Sequence, residues 1–191
     1  MSKRVLFLIS DTGGGHRSGA QAIGAALDEL PESFDWSIED IGTHCSFPLS
    51  QLGPAYSAAL RFAPPLYGAL YHATNGRRRF RSLVKFCEPL YREQLRDAFL
   101  ATNPDVIVSV HPLLNHAALR ARRDAKIHTP LITVITDLGR VHEGWITPEV
   151  DAIVVPAREV YQRALDRGVP PERIFFLGHP VHPKFESVSE S

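Results

Sequence analysis

The sequence predicts an α/β domain, a doubly wound Rossmann-like parallel sheet, on three observations. Five short apolar, β-branched runs are continuous rather than alternating, the segments between them carry helical periodicity, and each junction after a run is small, polar or ionisable. Continuous apolar runs of strand length suit strands buried on both faces, as in a parallel sheet. Alternation of such runs with helices is the pattern of repeated βαβ units.

The first run, VLFLI at 5–9, is followed by SDTGGGHRSG and then by a helical pattern over 18–30 that puts Ala20, Ile23, Leu27 and Leu30 on one side. A further strand is expected at 37–41. The remaining runs lie at 106–110, 131–135, 152–155 and 174–177, with helical patterns at 113–126 and 157–167 between them. In a parallel sheet every junction that follows a strand lies at the same edge. Ser10 to His16, His111 and Pro112, Thr136 to Gly139, and Gly178 to Pro180 should therefore converge where open α/β sheets bind ligands.

At 191 residues, with 44% hydrophobic and 22% charged side chains, the chain has ordinary globular composition, which excludes disorder and collagen-like repetition. It is expected to form one domain. Lys+Arg and Asp+Glu number 21 each, so total charge supplies no attraction to nucleic acid. Cys45 and Cys87 are too few for a disulfide framework and favour a reducing, cytoplasmic setting. The amino-terminal apolar run is too short for a signal peptide. The longest uncharged stretch, 41–60, contains Pro48, Gly53 and Pro54 and does not read as a spanning helix.

The zero sum conceals polarity. Segment 41–87 has no Asp or Glu, and eight of the seventeen aromatic residues fall within 47–91. Between 61 and 96 eight basic residues face two glutamates, a net of +6. Segment 43–100 therefore reads as a basic, aromatic-rich helical insertion. At about 100° per residue, Arg78, Arg81, Lys85, Arg92 and Arg96 fall within about 60° of one another, with an apolar face opposite. Pro89 should kink or divide this helix. The stripe is either a solvated helix face or a surface for anionic lipid headgroups, which its aromatic-rich neighbourhood favours. No recognition module accompanies it, so no nucleic-acid partner is expected.

Gly13, Gly14 and Gly15, between a strand and a helix, let backbone approach a ligand, and the helix start offers N–H groups to an anion. The plainer alternative is a tight turn beside an exposed histidine. No Walker ending is present, and a dinucleotide fingerprint fails because the third glycine, Gly19, comes one residue late. Glu39 or Asp40 at the second strand's end keeps a dehydrogenase reading weakly alive. His16 is placed to act as a general base, with Asp137 to orient it or to stabilise the imidazolium. His111, His142 and His179 match no metal-ligand spacing, and no metal is expected.

The GGGHRS turn (13–18), SVHP (109–112), TDLGRVHEGW (136–145) and GHPVHPKF (178–185) occur in the order seen in monogalactosyldiacylglycerol synthases. The chain is equally similar to the related processive diacylglycerol glucosyltransferases. The resemblance spans nearly all of it, least so at 43–80. It implies the amino-terminal half of a GT-B type glycosyltransferase, which binds the lipid acceptor and lies peripherally on the membrane. The implied reaction transfers galactose or glucose from UDP-galactose or UDP-glucose to diacylglycerol with inversion, with no further cofactor. His16 is then the base, Asp137 its electrostatic partner, and Gly13, Gly14, Gly15, Arg17 and Ser18 the cradle facing acceptor and donor phosphate. His111, Pro112, His142 and Trp145 line the acceptor pocket, and the basic stripe meets an anionic membrane surface. A donor-binding domain or subunit is implied beyond Ser191, without which the chain is expected to be inactive. The alternatives are a non-catalytic membrane-association or partner-binding module, and the acceptor domain of a transferase that adds N-acetylglucosamine to a lipid-linked peptidoglycan precursor. The latter has a longer glycine turn and lacks TDLG and HxxW.

Overall fold

In the computed structural model, which describes residues 2–10, 14–42, 62–139 and 141–188, six strands form one sheet. They are β1 (Lys3–Ile9), β2 (Phe34–Asp40), β3 (Val106–Ser109), β4 (Leu131–Val134), β5 (Ala152–Val155) and β6 (Ile174–Phe176). All neighbouring pairs are parallel, in the order β2-β1-β3-β4-β5-β6. The Rossmann-like sheet expected from the sequence is thus the one observed.

β2 begins at Phe34, three residues before the expected start. As an edge strand it alternates rather than running continuously apolar: Phe34, Trp36 and Ile38 turn inward, and Trp36 packs edge-on to Phe7 of β1 with centroids 6.1 Å apart. The Trp36 indole N–H donates to Asp28 Oδ1 at 2.9 Å, tying the strand to the helix before it.

Side chains alternate across each strand, so β1 feeds two cores. Val5, Phe7 and Ile9 pack with Ala20, Ile23 and Leu27 of α1 (Gly15–Asp28). Leu6 and Leu8 face the opposite layer, built from α3 (Arg77–Thr102), α4 (Leu114–Asp124) and α5 (Arg158–Asp166). A shorter helix, α2 (Pro64–Thr74), precedes α3. Within α3, Phe80, Val84, Cys87, Tyr91, Leu95 and Phe99 recur every three or four residues and are all buried. A fully buried side chain of this size contributes roughly 1.5–3 kcal/mol. Cys87 is a free thiol whose pKa burial raises.

Two expectations need correction. α1 runs from Gly15 to Asp28 rather than 18–30, because Gly14, at φ 81°, makes the left-handed turn that starts the helix at once. Leu30 consequently lies beyond the helix and is 47% exposed rather than part of its apolar side. Nor does Pro89 divide α3, which is helical throughout. Both Pro89 and Lys85, whose carbonyl it cannot satisfy, are exposed, so the missing hydrogen bond falls on the side away from the core. Among the described residues no helix is long and apolar enough to cross a membrane.

Candidate functional site

The chain leaves β1 towards β2 at one edge of the sheet and reappears at β3 on β1's other side. The carboxyl ends of β1 and β3 therefore flank the point where strand order reverses, the usual ligand crevice of such sheets. Gly14 and His16 follow β1, His111 follows β3, and Thr136 and Asp137 follow β4.

These three segments meet, together with Trp145. His16, in the first turn of α1, has Nδ1 3.2 Å from Thr136 Oγ1. Its ring lies 4.7 Å from that of His111 at 75°, and 5.7 Å from Trp145 at 57°. Asp137 reaches the group through Trp145, whose indole Nε1–H donates to Asp137 Oδ2 at 2.6 Å. The side chain that meets His16 Nδ1 is thus Thr136, which the motif reading passed over, while the Asp137 carboxylate holds the tryptophan.

His111 is 5% exposed, and its Nδ1 accepts the Leu113 N–H at 3.3 Å. Burial, aided by the neighbouring His16, holds its pKa well below the usual histidine value, so the ring is neutral. His142 is neutral for a related reason. Burial lowers its pKa despite the Asp137 charge, its Nδ1 accepts the Gly144 N–H at 3.1 Å, and its Nε2 lies 3.2 Å from Thr74 Oγ1. With Nδ1 an acceptor, Nε2–H is the donor to Thr74. His142 also stands edge-on to Phe80, 5.2 Å away, and so faces the helical layer.

A short 3-10 turn, Glu143–Trp145, sets the tryptophan, and residues distant in sequence hold it. The buried Glu143 carboxylate accepts from Arg167 at 2.6 and 3.0 Å and from Arg163 at 2.9 Å, which together hold its pKa below the usual range. Asn75 Oδ1 accepts the Glu143 N–H at 3.0 Å, and Asn115 bridges the Gly144 carbonyl and Thr133 Oγ1. Sequence reasoning found none of these supports, because their partners lie 18 to 68 residues away and share no motif.

The remaining expected residues separate. Arg17 donates to Asp40 Oδ2 at 2.7 Å, and Asp40 Oδ1 also accepts the Gly42 N–H at 3.0 Å. The acid at the end of β2, which a dinucleotide site would use for its ribose, is thereby engaged by an arginine. Ser18 is exposed, with its N–H bonded to the Gly14 carbonyl. Among the described residues, and apart from its chain neighbours and its own helix backbone, no atom stands within 4 Å of where a Cβ on Gly14 or Gly15 would lie. Pro112 is half-buried in the turn after His111. Gly13 and the side chain of Arg81 lie outside the described residues.

The basic stripe splits into two halves. Arg92 is ion-paired with Asp124 and Arg96 with Asp97. Arg78 and Lys85 are exposed near the start of α3, beside Phe86, which is 73% exposed. A separate cleft of about 550 Å³, lined by Lys85, Glu88, His116, Arg120 and Arg123 among others, lies within the helical layer rather than at the strand ends.

A family model described as monogalactosyldiacylglycerol (MGDG) synthase matches residues 16–181. A chloroplastic monogalactosyldiacylglycerol synthase of Spinacia oleracea is 34% identical over 187 residues, covering 96% of this chain and 36% of its own length. Monogalactosyldiacylglycerol synthase 1 of Arabidopsis thaliana, also chloroplastic, is 34% identical over 187 residues, with 96% and 35% covered. The chain thus spans little more than a third of these relatives. Among solved structures, the UDP-N-acetylglucosamine 2-epimerase from Rickettsia bellii is similar over 100% of this chain and 47% of its own, with a TM-score of 0.55 at 13% identity. The apo lipopolysaccharide outer core galactosyltransferase WaaB is similar over 93% and 46%, with a TM-score of 0.50 at 12% identity. At such identities the likeness is one of fold.

Proposed function

The chain belongs to the monogalactosyldiacylglycerol synthase family, and from that premise we propose that it is the acceptor-lipid-binding domain of an inverting hexosyltransferase. In this reading it is the amino-terminal half of a GT-B type enzyme that moves galactose or glucose from a UDP-sugar to diacylglycerol. The observation that carries it is the meeting of His16, Thr136, His111 and Trp145 at the switch point of the sheet.

The chemistry follows from that placement. The acceptor hydroxyl oxygen attacks the anomeric carbon, the bond from that carbon to the diphosphate oxygen breaks on the opposite face, and UDP departs. His16 takes the hydroxyl proton. Asp137 contributes a negative charge at the same edge, which favours the imidazolium that forms, and the neutral His111 adds no competing cation. Amides of the glycine turn, at the positive end of α1, face the donor diphosphate once a donor-binding domain closes over them. His111, Pro112 and Trp145 wall the acceptor side, with His142 behind Trp145 against the helical layer.

Arg78 and Lys85 supply the membrane contact, with Phe86 beside them, while Arg92 and Arg96 are already paired. Each basic residue near an anionic surface is worth about 1 kcal/mol. The same open half of the stripe favours a second reading, in which the chain is a membrane-association module with no part in transfer.

Titration with diacylglycerol-containing vesicles and, separately, with UDP-galactose and UDP-glucose tests the assignment. Lipid association with little nucleotide affinity is the expected result; tight nucleotide binding without lipid would overturn it. In a full-length enzyme His16→Ala should reduce transfer by at least about 10²-fold, with lipid binding kept. Retained turnover would remove His16 from the base role.

A further inference from the structure

We propose that Thr136 is a positioning residue that keeps the proton of His16 on Nδ1 and so makes Nε2 the basic nitrogen. The proposal rests on the reading of His16 as the base and adds how that base is prepared. In a neutral imidazole one nitrogen carries the proton and the other the lone pair, and the hydrogen bond at the first decides which. Here Nδ1 stands 3.2 Å from Thr136 Oγ1.

Thr136 is held from two sides, by α1 and by the segment after β6. A Cβ on Gly19 would lie 2.8 Å from Thr136 Cγ2, so α1 passes close against the threonine methyl, and glycine is what that approach requires. The same position is 3.8 Å from Pro180. The Thr136 carbonyl accepts His179 Nε2–H at 3.0 Å. With its methyl against α1 and its backbone tied to the segment after β6, the branched side chain directs its hydroxyl at His16. Gly19 and His179, which the dinucleotide and metal patterns left without a role, both act through Thr136.

A hydroxyl suits this task better than a carboxylate. It accepts from Nδ1–H whether the ring is neutral or imidazolium, so proton uptake at Nε2 needs no rearrangement of the pair. A carboxylate at Nδ1 would also orient the ring, but it would favour the imidazolium before any substrate arrived. The nearby carboxylate, Asp137, is bonded to Trp145, whose ring faces His16 at 5.7 Å. Among the described residues, His111 also stands against the ring, at 4.7 Å, and His179 acts through the Thr136 backbone.

The test is long-range ¹H–¹⁵N correlation spectroscopy of the histidine-labelled chain above the titration range of His16, with its signals assigned by their loss in His16→Ala. The wild type and Thr136→Ser should show a proton-bearing Nδ1 and a lone-pair Nε2. Thr136→Val, which keeps the shape and removes the acceptor, should move the proton to Nε2. A wild-type His16 protonated on Nε2, or a Thr136→Val spectrum unchanged from wild type, overturns the proposal. The wild-type spectrum is decisive even should the valine variant not fold. The base assignment stands or falls separately, on transfer by full-length His16→Ala.

Discussion

Gly144→Ala should push apart the site loop and the helical layer, and the cost can be worked from the packing. Phe80 of α3 is 4% exposed, and three of its ring atoms would lie 2.5, 2.8 and 3.2 Å from the new Cβ. Ordinary contact begins at 3.4 Å, so the ring edge must retreat by about 0.9 Å. It is hemmed in by the rings of His142 at 5.2 Å and His116 at 6.3 Å, so the retreat has to come from α3 itself. Gly144 does not have a left-handed φ, so the clash alone sets the penalty. Overpacking of this kind costs about 2–3 kcal/mol, a melting point lowered by about 4–12 °C for a chain of this size. Phe80→Leu alone should cost about 1.5 kcal/mol, yet it vacates the space the alanine needs. The double variant should therefore lose only about 2 kcal/mol, where additivity gives about 4. Urea denaturation followed by far-ultraviolet circular dichroism and by fluorescence of the buried Trp145 measures all three. Additivity within about 0.5 kcal/mol would refute the contact as the cause.

Stability should fall with acidification below pH 6.5. His111 and His142 have folded pKa values below the unfolded value, so their contribution is full above 6.5 and is lost as pH falls towards the folded values, at no more than about 1.4 kcal/mol per pH unit for each. Urea midpoints that stay flat from pH 7.5 to 5.5 would contradict the neutral buried rings. Glu143→Gln should cost about 2 kcal/mol at neutral pH, less than a fully buried pair because Arg163 and Arg167 keep 27% and 34% of their side-chain exposure. Since the folded Glu143 pKa is depressed, the difference from wild type should shrink as pH falls below 4.5, which thermal melts at several pH values would follow. Arg78→Gln with Lys85→Gln should weaken binding to anionic vesicles by about 2 kcal/mol, some 30-fold at low salt, and more than Arg92→Gln with Arg96→Gln. Equal losses in co-sedimentation would show that pairing with Asp124 and Asp97 does not withhold the second half of the stripe.

The class of the fold and the edge at which the chemistry gathers are legible in the residues alone. Continuous runs such as VLFLI can be buried on both faces only in a covered parallel sheet, and in such a sheet every junction after a strand falls at one edge, so His16, His111 and Asp137 had to be neighbours in a broad sense. The edge strand β2 was less legible, because one partner strand and partial exposure leave an alternating pattern. Which side chain touches which depends on how the packed layers meet. His16 meets Thr136 across 120 residues, His142 turns to Thr74 across 68, Arg17 is engaged by Asp40, and Asp137 grips Trp145 rather than His16 Nδ1. Periodicity reports the face on which a residue lies and nothing of its rotamer. The rotamers here follow from how closely α1 presses on β4's end at Gly19 and from where the Glu143 clamp sets Trp145, distances that exist only after the layers have packed.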